Sequence, residues 1–160
     1  MIFTAHYTSP LGGIILASDG EALTGLWFDG QKNCGDISSA VECDMPIFDT
    51  AAKWLDIYFD GKIPHFTPPL CLHVTPFRRS VYDILLTIPY GEVITYGQLA
   101  SMLSRDMSAQ AVGGAVGHNP ISLIIPCHRV IGADGKLTGY AAGIERKAAL
   151  LEMERHISGI

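Results

Sequence analysis

The chain has 160 residues, 48% of them hydrophobic, and a formal net charge of −5, which suits one compact body or two small ones, each with its own core. No uninterrupted apolar run approaches the roughly 20 residues of a membrane span. The opening residues Met1 to His6 lack a charged segment followed by an apolar one, so the expectation is a cytoplasmic protein without a membrane partner. The charge excludes a strongly basic nucleic-acid binder, but it is uneven. Residues 1–74 carry three lysines against nine acids, and residues 75–160 carry eight bases against seven acids. A nucleic-acid ligand would therefore meet the second half, with strong salt dependence.

In chain order, Ile2 to Tyr7, Gly13 to Ser18 and Leu23 to Phe28 are short runs rich in β-branched and aromatic residues. Turn signals at Ser9-Pro10-Leu11-Gly12 and Asp19-Gly20-Glu21 separate them. This pattern predicts a three-stranded antiparallel meander. Residues 31–47 read as loop. Phe48 to Phe59 reads as a helix with Ala52, Leu55 and Phe59 on one face and Gly61 as its C-terminal cap. Pro64, Pro68 and Pro69 lead to an expected strand at Cys71–Val74, and a boundary is placed there, giving domains 1–74 and 75–160.

In the second half, Thr75 caps a helix with Pro76 at its first position, where a missing N–H costs nothing. Val81, Ile84, Leu85 and Ile88 form its apolar stripe. Thr95 caps a second helix with Gln98 in capping-box position, and Ser108 caps a third, Ala109 to about Val116. Two short helices joined by a tight turn predict a helix-turn-helix. The third helix is built almost wholly from small residues, including Gly113-Gly114. Adjacent glycines weaken a helix by about 1 kcal/mol each, so they call either for close helix packing or for close approach of a ligand backbone such as the DNA minor groove. Ile121 to Ile125 reads as a buried strand. A last helix from about Ile144 is expected to set Ile144, Ala148 and Leu151 on one face, with Lys147, Leu150 and Glu154 adjacent. The fold class is α+β: a small antiparallel sheet with a helix, then a mainly helical domain.

The cysteines are Cys34, Cys43, Cys71 and Cys127. Reduced thiols are expected, with any special one distinguished by reactivity. Cys71 and His73 form an isolated C-x-H, which reads as strand alternation rather than a metal site. Cys127 follows an apolar run and precedes His128 and Arg129. Two cations beside a thiol would favour the nucleophilic thiolate, and a histidine can take its proton.

The segment Asn119-Pro120-Ile121-Ser122-Leu123-Ile124-Ile125-Pro126-Cys127-His128-Arg129-Val130 resembles the active-site signature of the O6-alkylguanine-DNA alkyltransferases (methylated-DNA–protein-cysteine methyltransferases). The likeness continues through Thr75-Pro76-Phe77, Ile88-Pro89-Tyr90-Gly91-Glu92-Val93, Thr95-Tyr96-Gly97, Gly135 to Tyr140 and Arg146 to Leu151. It covers residues 75–154 closely and residues 1–74 more loosely.

The resemblance implies a ribonuclease H-like first domain and a winged-helix-like second one. It implies DNA repair by a single, irreversible transfer of an alkyl group from O6-alkylguanine, or O4-alkylthymine, to Cys127 after base flipping. In that scheme His128 deprotonates Cys127 through a water and Glu154 orients the histidine. Tyr96, Gln110, Ala111, Asn119, Arg129, the backbone at Val130, and Tyr140 meet DNA or the base. Gln110 stands where many relatives carry an arginine that fills the gap left by the base. Some relatives bind zinc in the first domain, but Cys34, Cys43, Cys71, His6 and His73 do not assemble into a ligand set. No metal and no cofactor are expected; the partner is double-stranded DNA containing O6-alkylguanine, met as a monomer. The competing readings are a non-catalytic binder of alkylated DNA, disfavoured by the presence of Cys127, and a thiol hydrolase, disfavoured by the helix-turn-helix.

Overall fold

The structure, a computed structural model, describes residues 1–158, with side chains as far as Arg155. The chain forms two compact units, one of residues 1–73 with 120–122 and one of 74–119 with the residues from 123 onward.

In the first unit, β1 (Phe3–Ser9), β2 (Gly12–Ser18) and β3 (Leu23–Phe28) form the expected antiparallel meander, registered from Phe3 opposite Ser18 to Ser9 opposite Gly12. Serine side chains close both turns. Ser9 Oγ donates to the Gly12 carbonyl at 2.6 Å and accepts from Leu11 N–H, while Ser18 Oγ donates to Ala22 at 2.6 Å and accepts from Gly20 N–H. These local bonds replace backbone pairs the turns cannot make.

Residues 31–47 are not wholly loop. Val41–Glu42 forms β4, parallel to β1, completing the order β3-β2-β1-β4. Two exposed residues carry no alternation to read. Helix α1 spans Pro46–Phe59, beginning two residues before the expected start because Pro46 occupies its first turn. Its inward face is Phe48, Ala51, Leu55 and Tyr58 rather than the expected Ala52, Leu55 and Phe59. Gly61 follows at φ 80°, in the left-handed conformation that ends helices.

The strand expected at 71–74 does not form. Leu23 N–H donates to Pro69 and Cys71 N–H to Leu23, both at 2.8 Å, and the pairing stops at this single bridge beside Leu70. Prolines 68 and 69 supply no donors to extend it. Cys71 Sγ lies 3.6 Å from His73 Nε2, a weak pair contact. Among the described residues no three His, Cys, Asp or Glu side chains cluster as metal ligands, and no helix is long and apolar enough to cross a membrane.

The second unit begins with α2 (Pro76–Leu85), whose first turn is capped by Thr75 through Arg78 N–H at 3.2 Å. After β5 (Ile94–Thr95), α3 (Tyr96–Leu103) opens with the full Thr95–Gln98 capping box, and α4 (Ala109–Gly117) opens under the Ser108 cap. Helices α2, α3 and α4 pack together, and the buried Tyr82 hydroxyl ties α2 to α4 by donating to the Ala115 carbonyl at 2.8 Å. A 3-10 turn at Cys127–Arg129 leads into β6 (Val130–Ile131), which pairs parallel with β5.

One expectation changes here. Ile121 to Ile125 is deeply buried but forms turns, with Leu123 at φ 71°, instead of a strand. In α5 (Ile144–Ser158), the inward face is Lys147, Leu150 and Glu154, whereas Ile144 is exposed and Leu151 half-buried. The helix is rotated so that two charged side chains face the interior and a β-branched one faces water. Apolar content does not favour that rotation; the partners of the two charges do.

Candidate active site

The 3-10 turn places Cys127, His128 and Arg129 in the interior of the second unit, and all three are buried. Cys127 N–H bonds to the Ile125 carbonyl at 2.8 Å, and Asn119, at the end of α4, holds the same carbonyl with its amide at 2.8 Å. Asn119 is therefore the clasp between the helix-turn-helix and the cysteine turn.

Glu154 reaches in from α5. His128 Nε2 lies 2.6 Å from Glu154 Oε2. A carboxylate only accepts, so Nε2 carries the proton, and in the neutral ring Nδ1 is then the basic nitrogen. The carboxylate also accepts from Arg129 Nε at 2.8 Å, from Arg129 Nη2 at 3.1 Å and from Gly91 N–H at 3.1 Å. Arg129 sends Nη1 to the Ile88 carbonyl at 2.7 Å, and its guanidinium lies 5.7 Å from the centre of the Tyr90 ring.

This overturns the expectation that two cations flank the thiol. The Arg129 fork is spent on Glu154, and burial pushes His128 down towards the neutral form, Glu154 opposing and Arg129 assisting. Burial likewise raises the Cys127 thiol above its ordinary value, with Asn119 and Lys147 only partly offsetting it. Both shifts favour the uncharged forms, a thiol and a neutral imidazole. Glu154 stays ionised: burial alone would raise it, but its hydrogen bonds and the charge of its neighbours hold it well below the usual carboxylate range.

Lys147, also from α5, is a site residue that the sequence did not single out. It is fully buried, donates to the Thr138 carbonyl at 2.9 Å and the Gly139 carbonyl at 3.4 Å, and sits 5.8 Å from the centre of the Tyr96 ring. Burial lowers it to about 8, and the charge of Cys127 opposes the drop. The Tyr96 hydroxyl donates to the same Thr138 carbonyl at 3.3 Å. The Tyr140 hydroxyl is buried against the Cys127 sulfur, and burial first, then the sulfur's charge, raises it well above its ordinary value. The available signal for Lys147 was its spacing: it lies seven residues before Glu154, on the same helix face.

An open cleft of about 460 Å3 is lined by Tyr96, Gly97, Ala109, Gln110, Gly113 and Ala133. Gln110 and Ala111 are exposed at the start of α4. Methyl groups added at Gly113, Gly114 or Gly117 would meet nothing within 4 Å. Close internal packing thus does not explain these glycines. The side chain of Val130 is fully buried. Arg129, expected among the DNA contacts, is buried and bonded to Glu154. The structure thus gathers Cys127, His128, Glu154 and Asn119 in the interior with the Tyr140 hydroxyl against the sulfur, while Tyr96 lines the cleft.

The 6-O-methylguanine DNA methyltransferase DNA binding domain matches residues 76–156, and the ribonuclease-like domain of the same proteins matches residues 2–72. The methylated-DNA–protein-cysteine methyltransferase of Mycobacterium tuberculosis is 45% identical over 155 residues, spanning 97% of this chain and 93% of its own. The chain belongs to the methylated-DNA–protein-cysteine methyltransferase family. The relative of the same name from Methanosarcina acetivorans is 43% identical, covering 96% of this chain and 98% of its own. The M. tuberculosis O6-methylguanine methyltransferase structure superposes with a TM-score of 0.87 at 44% identity, covering 98% and 94% of the two chains. The same relative has been crystallised in complex with DNA, and that structure gives a TM-score of 0.87 over 97% and 92%. Members of the methylated-DNA–protein-cysteine methyltransferase family repair DNA by moving an alkyl group onto a cysteine of their own chain. A buried thiol whose next residue in the chain is a histidine suits that chemistry.

Proposed function

We propose that Cys127 is the alkyl acceptor and that the substrate is O6-alkylguanine in duplex DNA, met by a single copy of the chain. The observation that carries this reading is the buried Cys127 followed directly by a histidine whose Nε2 is fixed 2.6 Å from Glu154. The thiol proton passes to His128 Nδ1. A sulfur–carbon bond forms as the carbon–O6 bond breaks, and the departing guanine takes up a proton. The sum is unmodified guanine and a stable thioether, so each molecule acts once, and no cofactor enters the balance.

A thiol that rests protonated suits this use. A reagent consumed by one reaction is protected by staying unreactive until a base is presented. Tyr96, Gln110 and Ala111 form the DNA side of the site, with the side-chain-free surface of α4 lying along the minor groove. Asn119 and Tyr140 hold the thiol, and Lys147 secures the Thr138–Gly139 turn over which Tyr96 closes. Residues 1–74 serve as a separate supporting domain and residues 75–160 carry the chemistry.

The test is intact-protein mass after incubation with duplex DNA containing O6-methylguanine. Wild type gains one methyl group and Cys127→Ala gains none. Lesion-specific binding without a mass gain would favour the non-catalytic binding module, and repeated turnover with no adduct would favour a hydrolase.

A further inference from the structure

We propose that Arg129 is a positioning residue for the transfer, whose fixed charge on Glu154 keeps His128 an uncharged base able to accept the Cys127 proton. This rests on the reading of Cys127 and His128 given above.

The geometry is specific to that task. Arg129 meets both oxygens of Glu154, through Nε at 2.8 Å and Nη2 at 3.1 Å, in the parallel two-bond arrangement that a guanidinium allows and an ammonium does not. Its remaining nitrogen is anchored on the Ile88 carbonyl at 2.7 Å, and its face lies against Tyr90. The residue is too deeply buried to meet DNA phosphates, with 8% of its surface exposed. A side chain held on three sides in the interior, one residue from the base, acts through the base's own partner.

Charge counting shows what it does. A buried histidine beside a lone buried carboxylate draws in a proton, because the imidazolium–carboxylate pair is neutral and the imidazole–carboxylate pair is not. With Arg129 in place the preference inverts. Neutral His128, ionised Glu154 and cationic Arg129 together carry no net charge, and one more proton would leave an uncompensated positive charge in the interior. The charged groups that act on His128 are Glu154 and Lys147 from α5 and Arg129 from its own turn. Of these only Glu154 favours the imidazolium, while Arg129 and Lys147 both oppose it. An imidazolium cannot accept the thiol proton, so losing Arg129 removes base at neutral pH without removing any group that touches substrate.

The experiment is the single-turnover rate of methyl transfer against pH for wild type, Arg129→Met and Arg129→Lys, with the His128 ring followed by 15N NMR in each free protein. In wild type, His128 is expected to be neutral at neutral pH. In Arg129→Met the acid limb of the rate profile and the His128 titration both move upward by about one pH unit or more, while the high-pH plateau stays within several-fold of wild type. Arg129→Lys, which keeps the charge, returns both most of the way. A uniform loss of rate at every pH with no displacement of the limb would reduce Arg129 to a structural brace and overturn the proposal. A charged His128 in wild type at neutral pH would overturn it as well, even if the methionine variant failed to fold. Failure of wild-type Cys127 to gain a methyl group would sink the underlying reading instead, and the NMR titration, which needs no substrate, would still decide the role of Arg129.

Discussion

Among the described residues, the buried polar side chains of the first unit are Thr4, Ser9, Ser18, Gln31 and Ser122, all neutral. Those of the second are Asn119, His128, Arg129, Lys147 and Glu154, four of them titratable. The two serines at the sheet turns satisfy backbone groups within four residues of themselves, a local and inexpensive arrangement. The charged groups of the second unit reach across the chain: Glu154 bonds to residues 25, 26 and 63 positions away. Burying charge costs several kcal/mol per ion unless partners are well placed, and an apolar core of equal volume is often as stable. Chemistry, rather than stability, accounts for concentrating charge in one unit.

The sharpest way to break this contrast is Glu154→Gln. Removing one member of a buried ion network destabilises by about 3 to 5 kcal/mol, and alkyl transfer should slow on the order of 10²-fold through loss of the oriented base. Chemical denaturation and single-turnover rates measure the two. The wild-type contribution also depends on pH. Because the folded-state carboxyl is held below its ordinary 4.5, the stabilisation is complete above that value and is lost as the pH falls through the window beneath it. The Gln variant lacks this component of acid sensitivity, and a variant whose acid loss matched wild type would count against the network.

Lys147→Met gives a smaller effect, at higher pH. The lysine sits at about 8 in the folded protein against 10.5 ordinarily. Between those values the unfolded chain holds a proton that the folded one lacks, so stability rises as the pH climbs through that window. Melting temperatures from about pH 8 to 10 should therefore rise in wild type relative to Lys147→Met. Parallel curves would mean that the ammonium is better compensated than its burial implies.

Ser18→Ala should have the least consequence, about 1 kcal/mol of stability from the lost turn bonds, with methyl transfer per folded molecule unchanged. A slowed transfer rate would show that the first unit is more than support.

The unevenness between the units also explains what could be read from the sequence. The meander, the Thr75, Thr95 and Ser108 caps and the Gly61 stop were legible because each depends on neighbours a few residues away. Cys127 and His128 were legible as an adjacent thiol and base set in a family-like segment. The burial of Lys147, the true face of α5 and the diversion of Arg129 to Glu154 were not. A helix wheel ranks Ile144 and Ala148 as inward, and only partners distant in sequence reverse that ranking. The turns at 121–125 were hidden for a related reason: a short run of buried apolar residues looks alike whether it is extended or folded on itself.

The bare surface of α4 has a cost of its own. Since alanine at Gly113 or Gly114 would occupy open space and favour the helix by about 1 kcal/mol at each position, selection for fold stability alone would have filled them. The helix is kept weaker than its environment permits, and that shortfall is present in every molecule, including those that never meet a lesion. If α4 meets DNA as proposed, thermal endurance and DNA contact pull these two positions in opposite directions, which makes them informative sites at which to compare relatives from hot and temperate habitats.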